Sequence, residues 1–122
     1  MYQAIVEQAA EAIVFADRDG IIRLWNRGAE RLFGHSAAEA LGKSLDLIIP
    51  ERFRAAHWAG FSRAIDAGET RYAGRVMRTR SVHKNGGKLY VDLSFGVIRG
   101  PDGAVAGAFA IGREGEGAGA LG

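Results

Sequence analysis

The 122-residue chain contains no cysteine. That single absence removes disulfides, thiolate metal sites, iron–sulfur clusters and every cysteine nucleophile together. No run approaches the ~20 apolar residues of a membrane-spanning helix. Residues 1–7, MYQAIVE, lack the basic start and apolar centre of a signal peptide. A cytoplasmic location with no membrane partner is therefore expected. A surplus of one charge is also missing: 16 Lys and Arg face 14 Asp and Glu, for a formal net charge of +2. The basic residues are scattered and do not form a run with interleaved aromatics, so no nucleic-acid partner is expected.

What is present fits one hydrophobic core, since the length falls within the ~100–200 residues of a typical domain. Tyr2, Ile5, Val6 and Ala9 recur at helical spacing and predict a short amphipathic helix to Glu11, with a face that could pack on a partner. Residues 12–16 and 21–25 are short apolar runs around the turn Asp17-Arg18-Asp19-Gly20, which reads as a hairpin. Asn26 can cap a helix ending at Gly34, and Ser36-Ala37-Ala38-Glu39 is a capping box for another that ends at Gly42. Ser44 to Ile48 suggests one more turn. Pro50 is placed as the first residue of a longer helix to Ala67, stopped by Gly68. Beyond Gly68 the period changes. Tyr72–His83, Lys88–Arg99 and Ala104–Arg113 read as three antiparallel strands joined at Asn85-Gly86 and Pro101-Asp102-Gly103. In the middle strand Leu89, Val91, Leu93, Phe95 and Val97 share one apolar face. Two strands, a group of helices, then three strands predict an α+β fold with helices on one side of an antiparallel sheet.

One residue stands out against this pattern. Phe53, His57, Phe61 and Ile65 recur every four positions and form one stripe of the long helix, which aims His57 at the core. Opposite it stand Leu93, Phe95 and Met77. A neutral imidazole can simply pack there, with one ring nitrogen donating to a backbone carbonyl. It can also give its lone pair to the iron of a heme, which asks for an apolar cavity and little else. A triad or a metal cluster has no support, because His35 and His83 lack a placed serine nucleophile or paired carboxylates. Arg63 lies about 120° round the helix from His57, and Arg71 lies just beyond the helix end; both could reach heme propionates at a pocket rim. Met77 is either core packing or a contact to iron from the distal side. Trp58 falls off the stripe and is expected at a cavity edge or a partner surface.

Asp19-Gly20-Ile21-Ile22, Trp25-Asn26-Arg27-Gly28-Ala29-Glu30-Arg31-Leu32-Phe33-Gly34, Glu39-Ala40-Leu41-Gly42-Lys43 and the hairpin His83-Lys84-Asn85-Gly86-Gly87 follow one another along the chain. On these motifs nearly the whole chain, from about Glu11 to Arg113, resembles the PAS sensor family. The resemblance implies a five-stranded antiparallel sheet with a helical flank on one face, enclosing a ligand pocket used in signalling rather than catalysis. The division that follows is a flanking helix over 1–11, a sensor domain over 12–114 and a flexible glycine-rich tail over 115–122. Within the family, Ile49-Pro50-Glu51-Arg52-Phe53-Arg54-Ala55-Ala56-His57 looks like the heme-binding oxygen sensors of the FixL type. That resemblance implies heme b with His57 as proximal ligand, Arg63 and Arg71 at the propionates, and Leu93 and Phe95 on the distal wall, with Phe61 also in the pocket. Met77 falls where those sensors carry an arginine that hydrogen-bonds oxygen, so carbon monoxide, nitric oxide or redox state joins oxygen as a candidate signal. The family's C-terminal "RDxT" ending appears here as Arg113-Glu114-Gly115-Glu116.

Two functions are then expected to compete. One is a heme-based gas or redox sensor that speaks to a histidine kinase or another effector. The other is a dimerisation module whose pocket holds a small organic ligand, a flavin or nothing, with the first helix and the outer sheet face making a homodimer. The missing cysteine excludes a cysteinyl-flavin adduct and a thioester-linked chromophore, so any flavin would be non-covalent.

Overall fold

The computed structural model describes residues 1–115. The glycine-rich tail expected over 115–122 lies outside these residues from 116 onward. Helix α1 (Tyr2–Gln8) leads into β1 (Ala12–Asp17) and β2 (Ile22–Trp25). Helices α2 (Arg27–Phe33) and α3 (Ala37–Ala40), two 3-10 turns (Leu45–Ile48 and Glu51–Phe53) and α4 (Arg54–Ala67) follow. The chain closes with β3 (Val76–Val82), β4 (Lys88–Arg99) and β5 (Val105–Glu114). The sheet has five antiparallel strands in the order β2-β1-β5-β4-β3. Among the described residues no helix is long and apolar enough to cross a membrane.

Local chemistry sets most of the boundaries. The Asn26 side chain accepts from the Ala29 amide at the start of α2, and Gly34 ends that helix in the left-handed region at φ 88. Ser36 and Glu39 form the reciprocal capping box of α3, and Ser44 caps the first 3-10 turn through the Asp46 amide. Gly68, at φ 75, stops α4 as expected. Three boundaries differ from the sequence reading by three residues or more. Helix α1 ends at Gln8, short of Glu11, because Ala9 turns extended (ψ 139) and the Asn26 amide holds the Val6 and Glu11 carbonyls. Pro50 precedes a separate 3-10 turn, and α-helical geometry begins only at Arg54. Strand β3 starts at Val76, since the backbone turns between Thr70 and Arg75 through bonds from Ala73 N–H to the Thr70 carbonyl and Arg75 N–H to the Tyr72 carbonyl.

The inner sheet face meets the helices. On β4, Leu89, Val91 and Leu93 are buried as the alternation predicted. They stand in register with Ser81, Thr79 and Met77 of β3. With Val14, Ile22, Trp25, Phe33 and Ile48 they form the core, each large apolar side chain adding about 1.5–3 kcal/mol of burial. The middle of this face is built from small residues, however: Ala12 and Ala16 on β1, Ala108 and Ala110 on β5. Side chains this short do not reach the α4 layer. A space therefore remains between the sheet and the helical roof.

Candidate functional site

That space is a pair of confluent cavities. The deeper one, of about 450 Å³, is bounded by Ala12, Val14 and Ala16 of β1, by Phe33, and by the 3-10 segment from Leu45 to Phe53. The second, of about 590 Å³, lies between the C-terminal part of α4, the 69–72 segment and the start of β3. His57, Phe61 and Phe95 line both, so the imidazole stands where the two spaces join.

The helical stripe delivers His57 as predicted: Phe53, His57 and Phe61 line the deeper cavity, while Ile65 is buried but lines neither cavity. The His57 ring packs edge-on against Trp58, with centroids 4.8 Å apart, and tilts over Phe61 at 6.1 Å. Its Nδ1 is buried and has no hydrogen-bond partner among the described residues. The backbone-carbonyl partner of a quietly packed histidine is thus absent at that atom. An orphaned polar atom in an apolar cavity costs about 1–3 kcal/mol, which a bound group can recover. Burial holds the His57 imidazole below its ordinary value, while the Asp46 carboxylate acts in the opposite direction. The ring is therefore neutral near pH 7, with a lone pair to give.

Trp58 does not line either cavity. Its indole N–H donates to Asp46 Oδ1 at 2.8 Å, and its ring lies on the backbone of Gly20, where a Cβ would come within 2.2 Å of the ring. The tryptophan thus ties α4 to the β1–β2 turn and braces the histidine beside it. Asp46, which sequence reasoning did not single out, is the anchor for that brace; its carboxylate also stands 3.8 Å from Arg54 Nε in a half-buried ion pair.

The other predicted residues divide between the cavities. Leu93 lines the deeper one alone, whereas Arg63, Arg71 and Met77 line the second alone. Arg63 and Arg71 are exposed at its mouth. Arg71 donates from Nη2 to the Tyr72 hydroxyl at 2.8 Å and stacks over that ring at 5.0 Å. Met77 and Leu93 are cross-strand partners. Sequence reasoning missed Arg80. Alternation on β3 assigns it to the outer face opposite Tyr90, yet its guanidinium lies 5.8 Å from the Tyr90 ring and 6.0 Å from the Phe53 ring. It lines the deeper cavity at the sheet edge, and its Nε is buried without a hydrogen-bond partner among the described residues.

These residues fit a heme group in chemistry. One neutral imidazole with an unpartnered nitrogen faces apolar walls, and two exposed arginines stand at one mouth. Among the described residues no group of three or more His, Cys, Asp or Glu could hold a metal ion, so iron at this site would depend on His57.

Comparison with known proteins agrees with this architecture. Sensor protein FixL of Bradyrhizobium diazoefficiens is 30% identical over 97 residues, which is 80% of this chain and 19% of FixL. Oxygen sensor protein DosP of Escherichia coli is 25% identical over 97 residues, 80% of this chain and 12% of DosP. The chain thus spans a fifth or less of the length of these relatives. Among solved structures, the PAS domain of a Colwellia psychrerythraea protein superposes with a TM-score of 0.79 at 24% identity, covering 93% of this chain and 92% of that one. A family model described as the PAS fold matches residues 1–114, and the chain belongs to the PAS family.

Proposed function

We propose that this sensory domain binds heme b through His57 and relays a diatomic gas or a redox state to a partner or effector domain. The observation that carries the reading is the neutral, partly buried His57, whose Nδ1 lacks a partner where a largely apolar cavity joins a second one with arginines in its lining. The similarity to FixL and DosP supports it. Heme bound there would supply reversible binding of a small ligand, or electron exchange, at its iron. His57 lends its lone pair, and Trp58 and Phe61 fix the ring plane. Arg63 and Arg71 attract the propionates at the second mouth, while Phe61, Leu93 and Phe95 exclude water. Met77 offers no hydrogen-bond donor, which favours carbon monoxide, nitric oxide or redox state over stably held oxygen. Since His57 rides on α4 and the apolar walls belong to the sheet, a shift at the site re-biases the packing between the two layers.

The test is an absorption spectrum of purified protein supplemented with hemin. A Soret band present in the wild type and in H83A, but lost in H57A, is expected. No band in the supplemented wild type, or an unchanged band in H57A, overturns the reading.

A second reading is favoured by one observation: Tyr2 and Ile5 of α1 are 80% and 59% exposed. On the outer sheet face the apolar pairs Ile13–Ile111 and Phe15–Phe109 stand side by side. Together they suit a homodimer, with the pocket empty or holding a non-covalent flavin or another small organic ligand. Such a dimer, and a histidine kinase or other effector as its output, are compatible with either reading. Sedimentation of the wild type against I5E tests it: a dimer lost in I5E is expected, and a monomer in both refutes it.

A further inference from the structure

The deeper cavity has a rim of its own that the heme reading does not use. Phe53 sits there, 37% exposed, with the Arg52 guanidinium 4.7 Å and the Arg80 guanidinium 6.0 Å from its ring. Neither arginine forms an ion pair among the described residues. The carboxylate nearest in register on the sheet, Asp92, is already held by Arg78 through two hydrogen bonds. Arg80 Nε is buried and unsatisfied. A guanidinium N–H withdrawn from water without an acceptor is an unfavourable arrangement that a bound anion relieves. Behind this rim the cavity walls are almost wholly apolar, from Val14 and Phe33 to Ile48 and Leu93.

We propose that the deeper cavity, in protein free of heme, binds an amphipathic monocarboxylate, with its carboxylate on Arg80 and Arg52 at the Phe53 rim and its apolar body inside. The volume sets the size. At about 30 Å³ for each water-sized group, the cavity of about 450 Å³ holds roughly 15 non-hydrogen atoms. A medium-chain fatty acid or a comparable aryl-alkyl acid meets both requirements, whereas a short acid leaves the apolar walls uncovered. The rim is distinct from the Arg63 and Arg71 mouth, because Phe53 and Arg80 line only the deeper cavity and Arg63 and Arg71 only the second.

The probe is decanoate, compared with 1-decanol of the same chain length, titrated calorimetrically into protein prepared without heme. A charge-assisted hydrogen bond contributes about 1.5–3 kcal/mol, so decanoate should bind at least about tenfold more tightly than decanol. In R80Q the ratio of the two affinities should fall toward one. R80M, which keeps the apolar stem, should give the same result if R80Q fails to fold. Both probes are measured on the same protein, so general loosening of the fold cancels in the ratio. The proposal is overturned by an absence of saturable decanoate binding, by equal affinities for acid and alcohol in the wild type, or by an acid preference that survives in the Arg80 variants. Because no step requires iron, a protein that never takes up heme still tests it in full.

Discussion

Asn26 joins four pieces of this domain through one side chain. It is 1% exposed; its Oδ1 accepts from the Ile13 amide at 2.8 Å and the Ala29 amide at 2.9 Å, and its Nδ2 donates to the Val6 carbonyl at 2.8 Å and the Glu11 carbonyl at 3.0 Å. Truncation to alanine removes the cap of α2, at a cost of about 1 kcal/mol. It also strands the Ile13 amide, at about 1–3 kcal/mol for a donor left without a partner. The two carbonyls are only partly buried, and water can recover part of their loss. The sum is about 2–4 kcal/mol, a large share of the ~5–15 kcal/mol by which a domain is stable. Urea unfolding of N26A should therefore move the midpoint down by about 2 M at an unchanged slope, given a slope of about 1–3 kcal/mol per M. The isosteric N26D separates the two halves of the hub. It keeps an acceptor for Ile13 and Ala29 but has no donor for Val6 and Glu11, so hydrogen exchange should quicken at Ile5 and Ala9 in α1 more than in β1. A loss below about 1 kcal/mol in N26A, or N26D exchange that rises equally in α1 and β1, refutes the reasoning.

Two further outcomes follow from the site. Because burial lowers the folded-state value of His57 below the ordinary 6.5, the folded protein binds fewer protons than the unfolded chain in the window just beneath that value. Stability should be full above about pH 6.5 and fall as the pH drops through it; urea midpoints of H57F across the same range should show a shallower slope, the remainder coming from His35, which burial lowers in the same direction, and superimposable wild-type and H57F profiles would disprove the assignment. The G20A change places a Cβ at φ 77 and within 2.2 Å of Trp58 Cη2, which must displace the ring and break its 2.8 Å bond to Asp46. It should cost about 2–4 kcal/mol, of which about 1–2 is the left-handed backbone. In a W58A background only that backbone part should remain, and an undiminished cost there would mean that the ring is not the obstacle.

What was legible in the sequence was what neighbours along the chain decide. The turn at Asp17 to Gly20, the Asn26 and Ser36 caps, the left-handed stop at Gly68 and the alternation of Leu89, Val91 and Leu93 are all local, and each is where it was expected. The His57 stripe was legible for the same reason, since a period of four within one helix needs no partner to be seen. Properties set by distant pairs were not. The end of α1 depends on a side chain 20 residues away from the carbonyl it holds. The cavity depends on alanines of β1 and β5 that become neighbours only once those strands pair. The division of the lining residues between two spaces and the position of Arg80 at the sheet edge likewise depend on where β3 lies relative to the Phe53 turn. A period-two pattern gave the face of each β3 residue but could not give the bend of a long side chain around an edge.

The pairing of β1 with β5 carries one more consequence. Ala12 at the start of the first strand lies opposite Gly112 near the end of the last, and Glu11 and Arg113 reach each other at 3.3 Å. The polypeptide therefore enters and leaves the domain at one end of the sheet, about one strand spacing apart. A unit with adjoining entrance and exit can be spliced into a longer chain as a side loop, leaving the flanking segments almost as close as if it were not there. The same adjacency makes the two flanks a matched pair. A change that alters the spacing or twist of β1 against β5 acts on both of them at once.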